Sequence, residues 1–326
     1  MKKRIVSGMR PTGKMHLGHL HGALNNWKSL QKEYDCFFFI ADWHAMTTEY
    51  ANTENIRESI PDIIIDWISI GLDPELSTFF VQSDIQEHTE LHLVFSMITP
   101  LPWLERNPTY KEQLKELTQK DLYTYGFLGY PVLQAADILM YKANGVPVGE
   151  DQAPHVELTR EIARRFNYIY GEVFPEPATL LAPTSRLLGI DRRKMSKSYN
   201  NAIFLSDDDS EISSKVSRMI TDPQRMKKND PGDPKVCNVF AFHEIYTPEE
   251  TLAQIDKDCR NAAIGCVECK KIMAGHLINA LAPVREKRRA LESNPDLVKD
   301  IIERGNSRAR EIARQTMAQV REAIRI

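Results

Sequence analysis

Two histidines three residues apart, His16 and His19, enclose Gly18 in the stretch GMRPTGKMHLGHLHG at residues 8–22. A strand that runs through a Pro-Thr-Gly turn into a helix presents free backbone N–H groups and a positive dipole end to an anion. The imidazoles add hydrogen-bond donors without bulk, and a glycine between them lets a ligand approach the backbone. Such a site suits the phosphates of a nucleotide, whose transition-state charge it can stabilise. It does not suit the paired histidines of a metalloprotease, because no glutamate stands between them in an H-E-x-x-H pattern.

A second group, this one cationic, lies far downstream. GIDRRKMSKSYNN (189–201) holds Arg192, Arg193, Lys194 and Lys197 against a single acid, Asp191. With Ser196, Ser198 and Asn200 it reads as a mobile loop, and its lysines suit phosphate oxygens as point charges. Composition alone would make it an exposed basic loop with no ligand. A third group is Cys237, Cys259, Cys266 and Cys269, spaced C-x21-C-x6-C-x2-C. Four thiolates at this spacing suit tetrahedral Zn²⁺ or an iron–sulfur cluster, and ligand type does not separate the two. Cys36, in an apolar run, reads as a small buried hydrophobe.

The elements that position these groups follow from periodicity. RIVSGM (4–9) reads as a strand, and Leu20, Ala23, Leu24, Trp27 and Leu30 recur at helical spacing. DCFFFIADWHA (35–45) reads as a buried parallel strand. Residues 56–70 form a helix that Pro61 must kink or that restarts near Ser59, and STFFVQSD (77–84) is a third strand. Alternating strands and helices predict an α/β fold, a Rossmann-type doubly wound parallel sheet that binds ligands at the strands' C-terminal ends. From about residue 210 the pattern is helical, so a C-terminal α-helical domain is expected, with Gly305 breaking the tail (296–326) into two helices. The Arg and Glu residues of that tail read as a solvated face.

The 326 residues suggest two domains, drawn at 1–200 and 201–326. Net charge is −3, with 42% hydrophobic and 27% charged residues, which is ordinary for a soluble globular chain and does not mark a general nucleic-acid binder. No apolar run is long enough to span a bilayer, and MKKRIVSGMR is not followed by the apolar stretch of a signal peptide. A cytoplasmic protein is expected, with no membrane or DNA partner, and its cysteines are not expected to form disulfides.

HLGH followed far downstream by KMSKS resembles the paired signatures of class I aminoacyl-tRNA synthetases. KMSKS is an unaltered match, and HLGH differs from the family's HIGH form at Leu17. The block YPVLQAADILMYKANGVPVGEDQAPHVELTREIARRFN (130–167) is similar to the pocket and dimer region of bacterial tryptophanyl-tRNA synthetases. The cysteine spacing resembles the subset that holds a [4Fe-4S] cluster near the anticodon, with Zn²⁺ the alternative.

The resemblance implies a tryptophan–tRNA ligase that uses ATP and Mg²⁺. His16, His19, Lys194 and Lys197 would be catalytic, the lysines acting mainly in the transition state. Arg10, Pro11, Thr12, Gly18, His19, Gly149, Glu150, Asp151, Leu187 and the loop Lys194, Met195, Ser196, Lys197 and Ser198 would bind ATP. Asp137 would accept the indole N–H, because a carboxylate buried in an apolar pocket is costly unless paired with a donor. Val6, Gly8, Val146 and Val148 would form the apolar walls, and Tyr130 and Gln152 would hold the α-amino group. Cys237, Cys259, Cys266 and Cys269 would hold the metal, with Lys257, Arg260, Lys270 and Lys271 nearby for phosphates. Partners would be L-tryptophan, tRNA(Trp) and a second copy of the chain, meeting across roughly residues 85–145. Tyr130, Gln134 and Asp137 also match the Y-x3-Q-x2-D spacing of tyrosyl enzymes, which makes tyrosine the rival substrate. A nucleotidylyltransferase and a catalytically idle RNA-binding paralogue are the remaining alternatives.

Overall fold

The computed structural model describes residues 2–116, 121–182, 187–227 and 229–326. The elements run β1 (Arg4–Met9), α1 (Leu17–His19), a π turn (Leu20–Leu24), α2 (Asn25–Leu30), β2 (Asp35–Ile40), α3 (Asp42–Glu49), α4 (Glu54–Ser69), β3 (Ser77–Val81), α5 (Glu87–Ile98), α6 (Leu101–Glu105), α7 (Pro108–Glu116), α8 (Tyr125–Met140), β4 (Gly145–Val148), α9 (Ala153–Tyr170), β5 (Ala178–Leu181), α10 (Asp209–Ser217), α11 (Asn238–Tyr246), α12 (Glu249–Arg260), α13 (Cys266–Glu292) and α14 (Pro295–Ile324). They divide into two compact units. One comprises Met1–Gly13, Asn25–Pro183 and Asn294–Ile326, the other Lys14–Leu24 and Thr184–Ser293. The units interleave along the chain, where the sequence reading drew one boundary after residue 200.

The first unit is built on a parallel sheet of order β3-β2-β1-β4-β5. Strand β2 is apolar from Cys36 to Ile40 because both its faces are covered. On one face Phe38 stacks on Trp27 of α2 at 4.3 Å, and Phe79 of β3 meets Trp67 of α4 edge-on. On the other, Phe37 stacks on Tyr141 at 5.1 Å and Phe39 on Phe80. The strand order reverses between β1 and β4, so their C-terminal ends open a crevice of the kind in which such sheets bind ligands. Arg10–Thr12 follow β1 and Gly149–Asp151 follow β4 at that end of the sheet.

The second unit is helical. Its N-terminal segment is stitched in by two backbone hydrogen bonds, Leu205 N–H to Met15 O at 2.9 Å and Leu17 N–H to Ile203 O at 3.0 Å. Helix α10 opens with a reciprocal cap between Asp208 and Glu211.

Four local expectations are corrected. Strand β2 stops at Ile40 rather than running to residue 45, and α3 begins at Asp42, whose carboxylate accepts the Trp43 N–H. Strand β3 ends at Val81, and Gln82–Asp84 form a 3-10 turn. Helix α4 passes through Pro61 without a restart at Ser59. Gly305 does not break the C-terminal helix: α14 is continuous from Pro295 to Ile324.

That glycine is needed for contact. Helix α14 belongs to the first unit and covers the outer edge of β3. A Cβ at Gly305 would lie 1.7 Å from the Phe79 carbonyl oxygen and 2.6 Å from its carbon. The charges of α14 are also not merely solvated, since Arg304 pairs with Glu75, Arg308 with Asp35 and Arg321 with Glu90. In an exposed helix Gly→Ala would stabilise by about 1 kcal/mol. Here Gly305→Ala is expected to destabilise by about 3 kcal/mol or more, since the clash is with rigid backbone. The urea midpoint measures it, and an unchanged or higher midpoint would contradict the packing.

Candidate active site

The HLGH and KMSKS segments meet in the second unit. His16 caps the short helix α1, and its own N–H donates to His19 Nδ1 at 3.2 Å. The two rings stack with centroids 3.7 Å apart. The Gly18 N–H donates to the sulfur of Met195, in the KMSKS segment, at 3.3 Å. The Gly18 N–H is therefore engaged by the loop in this arrangement. A Cβ there would lie 2.9 Å from His16 Nδ1 and 3.3 Å from Met195 Cβ, so only glycine admits this close approach of the loop. Met195 and Leu187 are buried, and the Lys194 side chain is exposed.

The loop itself is organised by one side chain. Asn201 is buried and donates to Asp191 at 2.7 Å and to the Lys194 carbonyl at 3.1 Å, while its amide oxygen accepts the Ser196 N–H at 2.8 Å. Gly189 makes room for it, since a Cβ there would lie 2.4 Å from the Asn201 amide. Arg193 pairs with Asp191 and lies over the Tyr199 ring. Residues read as a mobile loop thus form a bonded turn ending in the 3-10 segment Lys197–Tyr199. The Ser198 side chain lies outside the described residues.

Both histidines of the signature are neutral at ordinary pH. Burial, then the Lys197 charge, lowers His16 to about 4. Burial, then His16 and Lys197, lowers His19 to about 3. They offer oriented dipoles, and the lysines supply the charge.

The first unit holds Asp137, fully buried on α8. Helix α8 begins where Thr124 Oγ1 accepts the Phe127 N–H at 3.2 Å. Both carboxylate oxygens are engaged by the protein. His44 Nε2 lies 2.7 Å from Oδ2. On Oδ1, Gln82 Nε2 donates at 2.7 Å and His88 Nδ1 lies at 2.6 Å. His88 Nε2 continues to the Tyr141 hydroxyl at 2.7 Å. Burial works against the charged carboxylate, but the hydrogen bonds and charges of His44 and His88 outweigh it, so Asp137 stays below the ordinary carboxylate range. This corrects the argument from burial: Asp137 does not depend on a ligand N–H, because its own neighbours satisfy it. A carboxylate has about four acceptor positions, so three protein partners leave room for one more.

Sequence reasoning missed His44, Gln82 and His88. They come from three elements, and their only local signal is His88 four residues before His92, one turn apart on α5. The Nδ1 of His92 and Oε1 of Gln82 are buried with no hydrogen-bond partner among the described residues.

Other anticipated residues already have partners. The Tyr130 hydroxyl bonds His155 Nε2 at 2.7 Å, and burial pushes it up to about 12. Gln152 donates to Asp151 at 3.2 Å. Burial lowers Arg10, the Tyr130 and Glu49 side chains opposing it. Val6 and Val146 are buried wall residues, and Val148 and Gln134 are half-buried. At Gly8 a Cβ would collide with the Phe39 ring at 2.4 Å. Pro11 and Thr12 follow β1, and Gly149 precedes the 3-10 turn Glu150–Gln152 after β4.

The four cysteines lie within electrostatic reach of one another. Burial first, then Cys237, Cys259 and Cys266, pushes Cys269 up to about 12. Cys259 Sγ accepts from Arg225 at 3.8 Å, and Cys269 Sγ lies 3.4 Å from His243 Nε2. Among the described residues, no group of three or more His, Cys, Asp or Glu side chains is arranged to hold a metal ion. Of the nearby cations, Arg260 is tied to Asp256, and Lys270 to the Ser217 carbonyl.

A parallel sheet with a reversal at β1 and β4, joined in one chain to a HLGH–KMSKS contact, defines a class I synthetase fold. The chain matches the family model for class I tRNA synthetases (W and Y) over residues 1–282, and it belongs to that family. It is 52% identical over 325 residues to the tryptophan–tRNA ligase of Thermotoga maritima, covering 99% of each. It is 48% identical over 393 positions to that of Aquifex aeolicus, covering 99% of this chain and all of the relative. The structure of Campylobacter jejuni tryptophanyl-tRNA synthetase complexed with ADP and tryptophan superposes with a TM-score of 0.90 at 31% identity, covering 99% of this chain and all of that one. Among the described residues, no helix is long and apolar enough to cross a membrane.

The neutral histidines carry a pH consequence. With folded values of about 4 and 3 against the ordinary 6.5, the unfolded chain takes up protons that the folded one does not. Their contribution to stability is full above pH 6.5 and is lost as pH falls through that window. The imidazole NMR signals of His16 and His19 should not titrate between about pH 5.5 and 8. A midpoint near 6.5 for either would contradict their burial.

Proposed function

We propose that the protein is a tryptophan–tRNA ligase that works in two steps. The tryptophan carboxylate attacks the α-phosphorus of ATP, forming tryptophanyl-adenylate as the bond to pyrophosphate breaks. The terminal adenosine hydroxyl of tRNA(Trp) then attacks the adenylate carbonyl, forming the ester and releasing AMP. The observation that carries this reading is the bond between Gly18 N–H and Met195, which joins the HLGH and KMSKS segments, 177 residues apart.

No protein nucleophile is required. Rate comes from positioning and from stabilising charge that develops on the leaving pyrophosphate. Lys194 and Lys197 supply cationic charge, and neutral His16 and His19 supply donors. Mg²⁺ brought in with ATP would add further charge neutralisation. Arg10–Thr12, Gly18, Gly149–Asp151, Leu187 and residues 194–198 are assigned to ATP. The indole N–H is assigned to the remaining acceptor position of Asp137, with Val6, Gly8, Val146 and Val148 as walls and Tyr130, Gln134 and Gln152 at the polar end. A pocket that hydrogen-bonds the N–H rejects ligands lacking it far better than apolar fit alone does.

The same reading gives the chain a dimeric partner and an RNA-binding region. Leu93, Met97 and Leu101 expose 55%, 73% and 57% of their surface on α5 and α6, within the 85–145 segment that the resemblance assigns to a homodimer. Anticodon contact, read for 201–326, is assigned to α11–α13. The four cysteines there fit an iron–sulfur cluster or zinc by donor chemistry and by their spacing in the sequence. Either would fix the chain between Cys237 and Cys269 and has no part in the reaction.

In radiolabelled ATP–pyrophosphate exchange, tryptophan alone among the amino acids is expected to stimulate incorporation. Stimulation by tyrosine would replace the substrate, and none at all would make the chain an idle paralogue. Anaerobically purified protein is expected to be brown, with a broad visible absorbance lost in Cys266→Ser. Colourless protein with one bound zinc would select the other metal, and metal-free protein would exclude both.

A further inference from the structure

We propose that Asn306, on α14, is a positioning residue for the amino-acid pocket. The inference rests on the tryptophan reading of Asp137. Among the described residues strand β3 is the sheet's edge, with no strand partner on its outer side. Helix α14 takes that place, with Gly305 against the Phe79 backbone. The next residue, Asn306, is buried and acts as a strand would. Its amide oxygen accepts the Val81 N–H at 2.9 Å, and its amide nitrogen donates to Asp84 Oδ2 at 2.6 Å. Arg310, one turn further on, donates to the Asp84 carbonyl at 2.8 Å. Both ends of the turn Gln82–Asp84 are thereby fixed from the helix.

The opposite side of that turn faces the pocket. Gln82 is fully buried, and its amide nitrogen is 2.7 Å from Asp137 Oδ1. The Ser83 N–H bonds Asp42 at 3.0 Å, at the start of the helix that carries His44, the partner of the other Asp137 oxygen. A short rigid turn clamped on one side and donating on the other transmits position, because neither the buried amide nor the carboxylate can move without losing a bond. Asn306 thus sets where Gln82 holds Asp137 without touching the substrate.

The test uses the full-length enzyme and tryptophan-dependent pyrophosphate exchange. Asn306→Ala leaves the buried Val81 N–H unpaired and should raise the KM for tryptophan about five- to tenfold. The kcat and the KM for ATP should change less than about twofold. An analogue with sulfur in place of the indole N–H should show no such rise. A purely structural role would instead lower the active fraction and leave the tryptophan KM as it was. Should Asn306→Ala not fold, the exchange of roles decides. Asn306→Asp alone opposes two carboxylates and should raise the tryptophan KM, and adding Asp84→Asn should restore it. A wild-type tryptophan KM in Asn306→Ala or Asn306→Asp, an equal rise for the analogue, or no restoration in the double variant would each overturn the inference. If the wild-type enzyme itself gives no tryptophan-dependent exchange, the functional reading has failed, a distinct result.

Discussion

Everything packed around Asp137 depends on keeping one carboxylate charged where no water reaches it. Moving an ionised Asp into an apolar interior is prohibitive unless donors surround it. Asp137 meets that condition with two imidazoles and an amide drawn from α3, α5 and the turn after β3. Those elements cannot drift independently, because each holds one bond to the same group. The demand for satisfaction therefore fixes the ends of the sheet as well as the side chains.

The second unit solves a different problem with similar means. It gathers cationic side chains without the charges repelling one another. Two neutral histidines beside Lys197 do this, as dipoles carry no net repulsion. Asn201 holds the turn from inside, tying Asp191, Lys194 and Ser196 to one amide. Met195 fills the gap against Gly18, so the most apolar residue of the KMSKS segment joins it to HLGH and the charged residues stay outward.

The fold class was legible because β1, β2 and β3 are short apolar runs separated by amphipathic helices, and that alternation admits few topologies. The two signature segments were legible because their residue types are unusual at their positions. The partners of Asp137 were not, since a histidine such as His44 looks the same in a strand end or a helix start until the third dimension is known. Gly305 was misread for a related reason. A glycine in a helical stripe has two explanations, a break or a close approach, and only the neighbouring strand distinguishes them. The expectation that a solvent-free carboxylate needs its ligand failed likewise, through counting donors along the chain rather than in space.

The seam between α14 and β3 joins residues 225 apart in the sequence. A ribosome delivers the third strand long before the helix that shields it. During that interval the growing polypeptide presents a bare, apolar β-edge, the sort of template on which chains self-associate. Premature termination just ahead of α14 would leave this edge permanently open. Quality control of synthesis therefore bears on the enzyme through its last helix, and prematurely stopped products should be clients for chaperones rather than slow catalysts.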